Sequence, residues 1–156
     1  MRRTLTGVLC ALAIACVALA GCQNSRYCAL EGYPASGLGF KPEEVGRKAS
    51  LKKGQPYALH TLREADKQGL YYLQVRPGKR LPGRYHEGQG LTLVATAGEA
   101  AVEVEGRRYQ VDAGTALFIP ETHSYTVSAR DREENFAAFL VFAPPYDPEA
   151  VELTGE

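Results

Sequence analysis

The sequence lacks an excess of charge of either sign, and it has no extended basic cluster. Its 156 residues carry 18 lysines and arginines against 18 aspartates and glutamates, so the formal net charge is zero. No run of basic residues is longer than two, and the pair Arg107-Arg108 is predicted to lie in a turn. Proteins that bind nucleic acid concentrate positive charge in a patch or stripe. No nucleic-acid partner is therefore expected, and the length fits one folded domain.

A full-length membrane-spanning run is also missing, although the first residues come close to one. Arg2 and Arg3 precede an apolar segment over residues 5–19, whereas a spanning helix needs about 20 apolar residues. A positive start followed by a short apolar segment is typical of an export signal. We therefore predict a signal peptide over residues 1–21. Its removal leaves 16 basic against 18 acidic residues, a formal charge of −2.

The end of this segment, Leu19-Ala20-Gly21-Cys22, resembles the bacterial lipobox. The resemblance implies cleavage before Cys22 and acylation of its thiol and its new amino group, with palmitate among the acyl chains. Several acyl chains on one protein give stable membrane anchoring. An ordinary secretory signal that ends in cysteine is the alternative. In Gram-negative lipoproteins an aspartate after the lipidated cysteine commonly retains the protein in the inner membrane. Gln23 stands there instead, so the resemblance implies the outer membrane, with the domain facing the periplasm or the surface.

Cysteine pairs are missing from the mature chain. Of the four cysteines, Cys10 and Cys16 leave with the signal and Cys22 carries lipid. Cys28 is then left alone, so no intramolecular disulfide forms. In an oxidising envelope Cys28 is either a free thiol or a partner for a cysteine of another chain.

Residues 22–56 have scattered glycines and prolines and few apolar residues, without periodicity. This composition predicts a lipidated tether and an irregular N-terminal arm. A short helix around residues 42–49 is compatible with this arm, because Pro42 suits a first helical turn.

Residues 57–150 lack a long helical pattern and follow a period of two instead. Alternating short segments predict strands over 57–62, 70–75, 91–97, 101–105, 108–111, 116–120, 124–129 and 136–143. Pro77-Gly78, Gly98, Gly106 and Gly114 separate several of them. Short strands at regular spacing with turn signals predict an all-β sandwich or barrel. Residues 151–156 are predicted to be a C-terminal tail.

The segment from Ala95 to Pro120 resembles the central hairpin region of the cupin (RmlC-like jelly-roll) superfamily. Gly98, Gly106, Gly114 and Ile119-Pro120 stand where that family has its turn glycines and its Ile-Pro strand end. The later run from Phe139 to Pro148 resembles the closing strand and Pro-Pro exit of small cupins. The resemblance implies a double-stranded β-helix after the tether. It implies no single function, because this fold hosts many unrelated activities.

The resemblance also implies where a cupin metal site would lie. The family places two histidines, a glutamate and a later histidine on inward strand positions, and residues two apart on a strand face the same side. The residues at these positions are Arg84, His86, Leu91 and His123. Arginine has no lone pair to donate and leucine has no ligand atom. No cofactor is therefore expected, and His86 and His123 remain as candidate ligands for a divalent transition metal.

The same positions predict a ligand pocket with a cationic mouth. Its candidate residues are Arg84, His86, His123 and Tyr125. Such a pocket suits a carboxylate, a phosphate or an acidic sugar. In the alternative interpretation Arg84 pairs with Glu87 or Glu121 at the rim, and His86 fills the interior.

Two hypotheses of function follow. The first is a non-catalytic binding or scaffold component of a cell-envelope assembly, anchored in the outer membrane. The assembly would be of the secretion, adhesion or surface-motility type, with other envelope proteins as partners. The second is a cupin enzyme, metal-dependent or epimerase-like, that acts on a small acid or sugar with a histidine base and Tyr125 as acid. An exposed aromatic surface for a partner or a glycan is a further hypothesis. It would use Tyr71, Tyr72, Tyr85 and Tyr109.

Overall fold

The computed structural model describes residues 27–29, 39–148 and 151–153. The predicted signal peptide and Cys22 lie outside the described residues. The helix is α1, Pro42–Lys48. The strands are β1 Tyr27–Ala29, β2 Tyr57–Ala65, β3 Gln68–Val75, β4 Arg80–His86, β5 Gly90–Ala97, β6 Glu99–Val104, β7 Arg107–Asp112, β8 Ala116–Ile119, β9 Tyr125–Ala129, β10 Phe136–Ala143 and β11 Val151–Leu153. The prediction of an all-β domain is confirmed, and the predicted strands agree with the observed ones to within a few residues.

Two sheets face each other. One has the strand order β1-β2-β3-β10-β5-β8, and the other has the order β11-β4-β9-β6-β7. Neighbouring strands are antiparallel, apart from the parallel pair β1 and β2. Strands far apart in the chain are therefore neighbours in space, with β10 lying between β3 and β5. This crossing of strands between two facing sheets is the double-stranded β-helix that the resemblance implied.

The core lies between the two sheets and is formed largely by alternate residues of strands β2 to β10. On β5, Leu91, Leu93 and Ala95 are each at most 2% exposed. They therefore face the interior, as predicted. Fully burying a leucine side chain contributes about 1.5–3 kcal/mol. Where a strand is buried on one face only, as on β5, this pattern fixes the register, because a slip by one residue would turn its apolar side chains outward.

The sheets extend beyond the predicted barrel limits of 57 and 150. Residues 27–29 of the predicted tether pair in parallel with β2. Residues 151–153 of the predicted tail pair with β4 through Val151–His86 and Leu153–Arg84. Both segments are only three residues long, so their own patterns carry no usable periodicity. Backbone pairing with an existing strand places them instead.

Helix α1 packs on the outer face of the six-stranded sheet. It starts at Pro42, in the first helical turn where a missing N–H costs nothing, and ends at Lys48, close to the predicted 42–49. Its Val45 is fully buried, and it packs together with Tyr72 and Ala137. Across the described residues, no helix is both long and apolar enough to cross a membrane.

The hypothesis of one exposed tyrosine surface is wrong. Tyr71 is 1% exposed and belongs to the core between the sheets, whereas Tyr72 is 3% exposed and lies beneath α1 on the opposite face. Only Tyr109, at 40% exposure, is an exposed tyrosine of that set. Adjacent strand residues point to opposite faces, and here both faces of β3 are covered.

The turn between β5 and β6 needs glycine. Gly98 has φ of +66°, and a Cβ atom built there would lie 2.7 Å from the backbone oxygen of Asn135. This close approach brings the loop before β10 against the turn where the chain passes from one sheet to the other. The turn glycine that contributed to the resemblance therefore has a packing role as well as a conformational one.

Candidate functional site

Arg84 is buried inside the barrel, where phenolic hydroxyls accept its hydrogen bonds. It is 3% exposed. Its Nη1 donates to the Tyr146 hydroxyl at 2.8 Å, and its Nη2 donates to the Tyr57 hydroxyl at 3.2 Å. The guanidinium carbon also lies 5.5 Å from the centre of the Tyr57 ring, within cation–π range. A buried charge needs such partners because desolvation is costly.

An irregularity in β4 decides that Arg84 faces inward. The register between β4 and β9 shifts between Leu81 and Arg84. Leu81 and Arg84 are both buried, although they are an odd number of positions apart and strict alternation would place them on opposite faces. The bulge changes the phase of the strand, so Arg84 and His86 share the inner face.

His86 lies in an aromatic cage two residues after Arg84. It is 3% exposed, and its Nε2 lies 3.1 Å from the Tyr125 hydroxyl. Its ring stacks on Tyr125 with a centroid distance of 5.7 Å. The rings of Phe142 and Tyr146 pack around it at 5.1 and 5.4 Å. Aromatic side chains thus fill the space around the imidazole.

Burial and the neighbouring cation keep His86 neutral. Desolvation by burial is the main cause that lowers the pKa of His86, and the positive charge of Arg84 lowers it further. An interaction with Gln89 offsets part of this effect, and the resulting pKa is about 4. At neutral pH the imidazole therefore carries one proton. It can accept a hydrogen bond from Tyr125 or donate one to it.

Gln89, three residues after His86, is another buried polar side chain at only 6% exposure. Its Nε2 donates to the Pro145 carbonyl oxygen at 3.1 Å. Gln89 Oε1 and His86 Nδ1 are both buried, and neither has a hydrogen-bond partner of normal geometry among the described residues. Since an unsatisfied buried polar atom costs about 1–3 kcal/mol, this corner is the least satisfied part of the cluster.

The structure brings together three of the four predicted pocket residues, namely Arg84, His86 and Tyr125. The described contacts of His123 lie elsewhere, in the turn between β8 and β9. There its Nδ1 donates to the Glu121 carbonyl oxygen at 3.2 Å. Hydrogen bonds from Ser124 lower the pKa of exposed Glu105, and the charge of His123 lowers it a little further. The turn that follows β8 is short, and it holds the His123 side chain at the surface.

The residues inside the barrel do not fit the metal site that the fold resemblance implies. Leu91, at the expected glutamate position, is 1% exposed and packs in the core. The Arg84 guanidinium places a fixed positive charge beside His86, where a divalent cation would bind. Within the described part of the chain, no three histidine, cysteine, aspartate or glutamate side chains lie together as metal ligands would. One imidazole beside a guanidinium is a poor donor set.

Sequence reasoning missed Tyr57, Tyr146 and the role of Gln89 in this cluster. Tyr57 starts the first long strand in the same alternation phase as buried Leu59, so the period of two could have placed it inside. Tyr146 lies after the last long strand, in a segment without periodicity. Only the folding of that segment over the barrel end places its hydroxyl near Arg84.

Comparison with solved structures identifies the fold. A conserved protein with a double-stranded β-helix domain from Klebsiella pneumoniae matches with a TM-score of 0.65 and 16% identity, over 77% of this chain and 99% of that one. The cupin domain of Schizosaccharomyces pombe Cnp3 matches with a TM-score of 0.54 and 14% identity, over 60% and 69%. The chain adopts the cupin fold. The cluster of Arg84, His86 and Tyr125 therefore lies inside a cupin barrel.

Cupins similar to this chain include enzymes. The DMSP lyase DddQ from Ruegeria pomeroyi matches with a TM-score of 0.56 and 25% identity, over 65% of this chain and 54% of that one. No protein-family profile matches the sequence, and no curated protein matches it. Likeness at this level assigns the cupin barrel, and function must be argued from the residues inside and outside it.

Proposed function

We propose that this protein is an outer-membrane lipoprotein, anchored through Cys22, whose cupin barrel is a non-catalytic binding or scaffold component of a cell-envelope assembly. The lipobox-like residues before Cys22 and Gln23 after it support the anchor and its location. Other envelope proteins would be its partners, in an assembly of the secretion, adhesion or surface-motility type. The residues of the barrel interior support the absence of catalysis.

The observation that carries the non-catalytic assignment is the environment of Arg84. It stands on the inner face where metal-binding cupins have a histidine, and it binds the hydroxyls of Tyr57 and Tyr146. Arginine is not deprotonated in proteins and offers only donors. Together with the side chains of Tyr57 and Tyr146, its guanidinium fills the space between the strands. The side chains there stabilise the barrel and leave its outer surface for partner contact.

Metal analysis of the full-length protein, extracted from membranes in detergent, tests this proposal. We expect no stoichiometric iron, manganese, nickel, copper or zinc in the wild type or in the double variant His86→Ala/His123→Ala. A stoichiometric metal that is present in the wild type and lost in the double variant would overturn the non-catalytic assignment. Crosslinking in intact envelopes tests the scaffold role, which would be abandoned if no envelope protein is recovered with the wild type.

A second candidate function is supported by the contact between His86 and Tyr125. A neutral imidazole 3.1 Å from a phenol can exchange a proton with a bound substrate and deliver one back, as an epimerase-like enzyme requires. The substrate would be a small acid or sugar, and it would need to displace part of the aromatic cage, since both residues are 3% exposed.

Deuterium exchange distinguishes this candidate from the first. A panel of small hydroxy acids and sugars is incubated with the full-length protein in D2O, and loss of carbon-bound proton signals is followed by NMR. Exchange that depends on both His86 and Tyr125, and that disappears in His86→Gln and Tyr125→Phe, would favour the enzyme. We expect the wild type to match the buffer control.

A further inference from the structure

A groove of about 280 Å³ lies on the outer face of the six-stranded sheet, beneath helix α1. We call it the outer groove. Strands β3, β5 and β10 form its floor, α1 forms one wall, and the loop before β10 closes the far end. The floor is the face of β3 opposite to the barrel interior, so the outer groove is separate from the cluster around His86.

Gln74 lies in the floor of the outer groove, and its side-chain oxygen has no hydrogen-bond partner among the described residues. The residue is only 7% exposed. Its neighbours Leu73 and Val75 point into the core, so strand alternation places Gln74 on the groove side. Leaving a buried polar atom unsatisfied costs about 1–3 kcal/mol. A hydrophobic residue would cover the sheet beneath α1 at lower cost, and the glutamine instead leaves a buried acceptor without a partner in the floor of the groove.

Tyr72 and Thr96 provide the polar group next to Gln74 on the floor. Tyr72 is two residues from Gln74 on β3 and shares its face. Its hydroxyl interacts with the Thr96 side chain, and Thr96 Oγ1 donates to the Ala137 carbonyl oxygen at 3.2 Å. Burial raises the pKa of the Tyr72 phenol, and the interaction with Thr96 offsets part of that effect.

The helix wall is held close to this floor by a glycine. A Cβ atom at Gly46 would lie 3.1 Å from the Tyr72 hydroxyl. Glycine inside a helix costs about 1 kcal/mol relative to alanine, and here it allows α1 to approach the phenol. The groove thus has a defined width that the sequence maintains at a cost in helix stability.

Charge in the outer groove is negative. Glu43 on α1 and Glu134 in the loop before β10 are exposed side chains that line it, beside Asn135. The charge of Glu43 reaches the floor, because it adds to the effect of burial in raising the pKa of the Tyr72 phenol. Two carboxylates at the rim and a buried acceptor at the bottom favour a ligand that brings positive charge and N–H donors.

We propose that the outer groove binds a small organic molecule that carries a protonated primary amine. The ammonium group donates to Gln74 Oε1, and the carboxylates of Glu43 and Glu134 attract it from the rim. The apolar part of the ligand packs on the Tyr72 ring and on Ala97 and Ala137. The volume limits the ligand to about ten non-hydrogen atoms. This site is independent of the anchor and of the role assigned to the barrel interior.

Fluorine NMR with two probes of the same shape and opposite charge tests the proposal. Full-length protein in a non-ionic detergent is titrated with 4-fluorobenzylammonium and, separately, with 4-fluorobenzoate, and empty detergent micelles give the baseline. We expect saturable binding of the ammonium probe and at least tenfold weaker binding of the benzoate. Binding of the benzoate as tight as that of the ammonium, or ammonium binding no greater than to micelles, would overturn the proposal.

Matched glutamine variants locate the binding site. Gln74→Met keeps the length of the side chain and removes the acceptor, so we expect about tenfold weaker ammonium binding or more, since hydrogen bonds to charged groups are strong. Gln110→Met changes an exposed glutamine on β7 of the other sheet and should leave binding unchanged. Glu134→Gln should weaken binding about twofold to fivefold, as expected for an exposed charge. Wild-type affinity in Gln74→Met, with an unfolding midpoint showing that the variant is folded, would overturn the proposed site.

Discussion

The Arg84 guanidinium donates a 2.8 Å hydrogen bond to the Tyr146 hydroxyl, 62 residues later in the chain. Arg84 lies on β4 in the five-stranded sheet, and Tyr146 follows β10, a central strand of the six-stranded sheet. Tyr57, on β2, accepts the second bond of the same guanidinium at 3.2 Å. One buried cation thus connects both sheets and the segment that closes the barrel.

Replacing Tyr146 with phenylalanine tests the strength of this connection. Tyr146→Phe removes the acceptor and keeps the ring that packs on His86 and Phe142. We expect a loss of about 1–3 kcal/mol in the free energy of unfolding, because a buried donor of a charged group loses its partner. Urea denaturation measures it, with Tyr109→Phe as the matched control on a residue that is 40% exposed. Equal stability of the two variants would contradict the role assigned to the Arg84 bond.

The lowered pKa of His86 predicts a dependence of stability on pH. The folded-state pKa of about 4 lies below the unfolded value of about 6.5, so the unfolded chain binds the proton more readily. The contribution of neutral His86 to the free energy of unfolding is fully present above about pH 6.5 and is lost as the pH falls towards 4. Its size is about 3 kcal/mol, from 1.36 kcal/mol per pKa unit.

Urea unfolding at pH 7 and pH 4 measures this effect, and His86→Gln should reduce the difference between the two by about that amount. His123→Gln, at the surface turn, is the control, and it should keep the wild-type dependence because His86 remains. If the free energy of unfolding of His86→Gln depends on pH as in the wild type, the imidazole is not the buried neutral group described above. His60 has a pKa that burial lowers, and its contribution has the same sign in all three proteins.

Replacing Gly98 and Gly106 separately with alanine compares the stability cost of a side chain at two tight turns. Both have positive φ, +66° and +76°, but only Gly98 approaches another backbone segment. Gly106→Ala should cost about 1 kcal/mol for the left-handed conformation. Gly98→Ala should cost about 2–5 kcal/mol, because its methyl group would also collide with the Asn135 backbone. Thermal unfolding compares the two, and equal losses would mean that the loop before β10 moves away easily.

The proposed anchor predicts a change of location in one cysteine variant. Cys22→Ala removes the thiol that would be acylated, so we expect the protein to leave the membrane fraction. Cys28→Ala removes the remaining cysteine of the mature chain and should stay with the wild type in outer-membrane fractions. Fractionation and immunoblotting detect the difference. Retention of Cys22→Ala in the membrane fraction would show that lipid at this residue does not hold the protein there.

Much of the fold could be predicted from the sequence because it depends on local pattern. Alternating apolar residues placed eight of the nine strands between Tyr57 and Ala143, all except β4, and spaced glycines marked several of their turns. The inward set Leu91, Leu93 and Ala95 followed from the period of two. The three-residue strands β1 and β11 could not be predicted, because their positions depend on the backbone partners they meet.

The candidate site was predicted only in part. Arg84, His86 and Tyr125 were expected to face one another, and they do, but His123 lies in a surface turn. The bulge before Arg84 sets the phase of β4, and no local pattern reports it. Tyr146 reaches the cluster from a distant part of the chain, and Gln74 becomes a groove residue only because α1 covers its face.

The sequence by itself determined the strand pattern, the turn glycines, the lipobox-like segment and the unsuitability of Arg84 and Leu91 as metal ligands. These features depend on side-chain chemistry and on the spacing of neighbours along the chain. Tertiary structure decided which hydroxyls bind Arg84, how strongly His86 is desolvated, and that an acidic groove lies beneath α1. Those properties arise from contacts between distant segments, and burial and electrostatic effects have no magnitude until the segments have packed together.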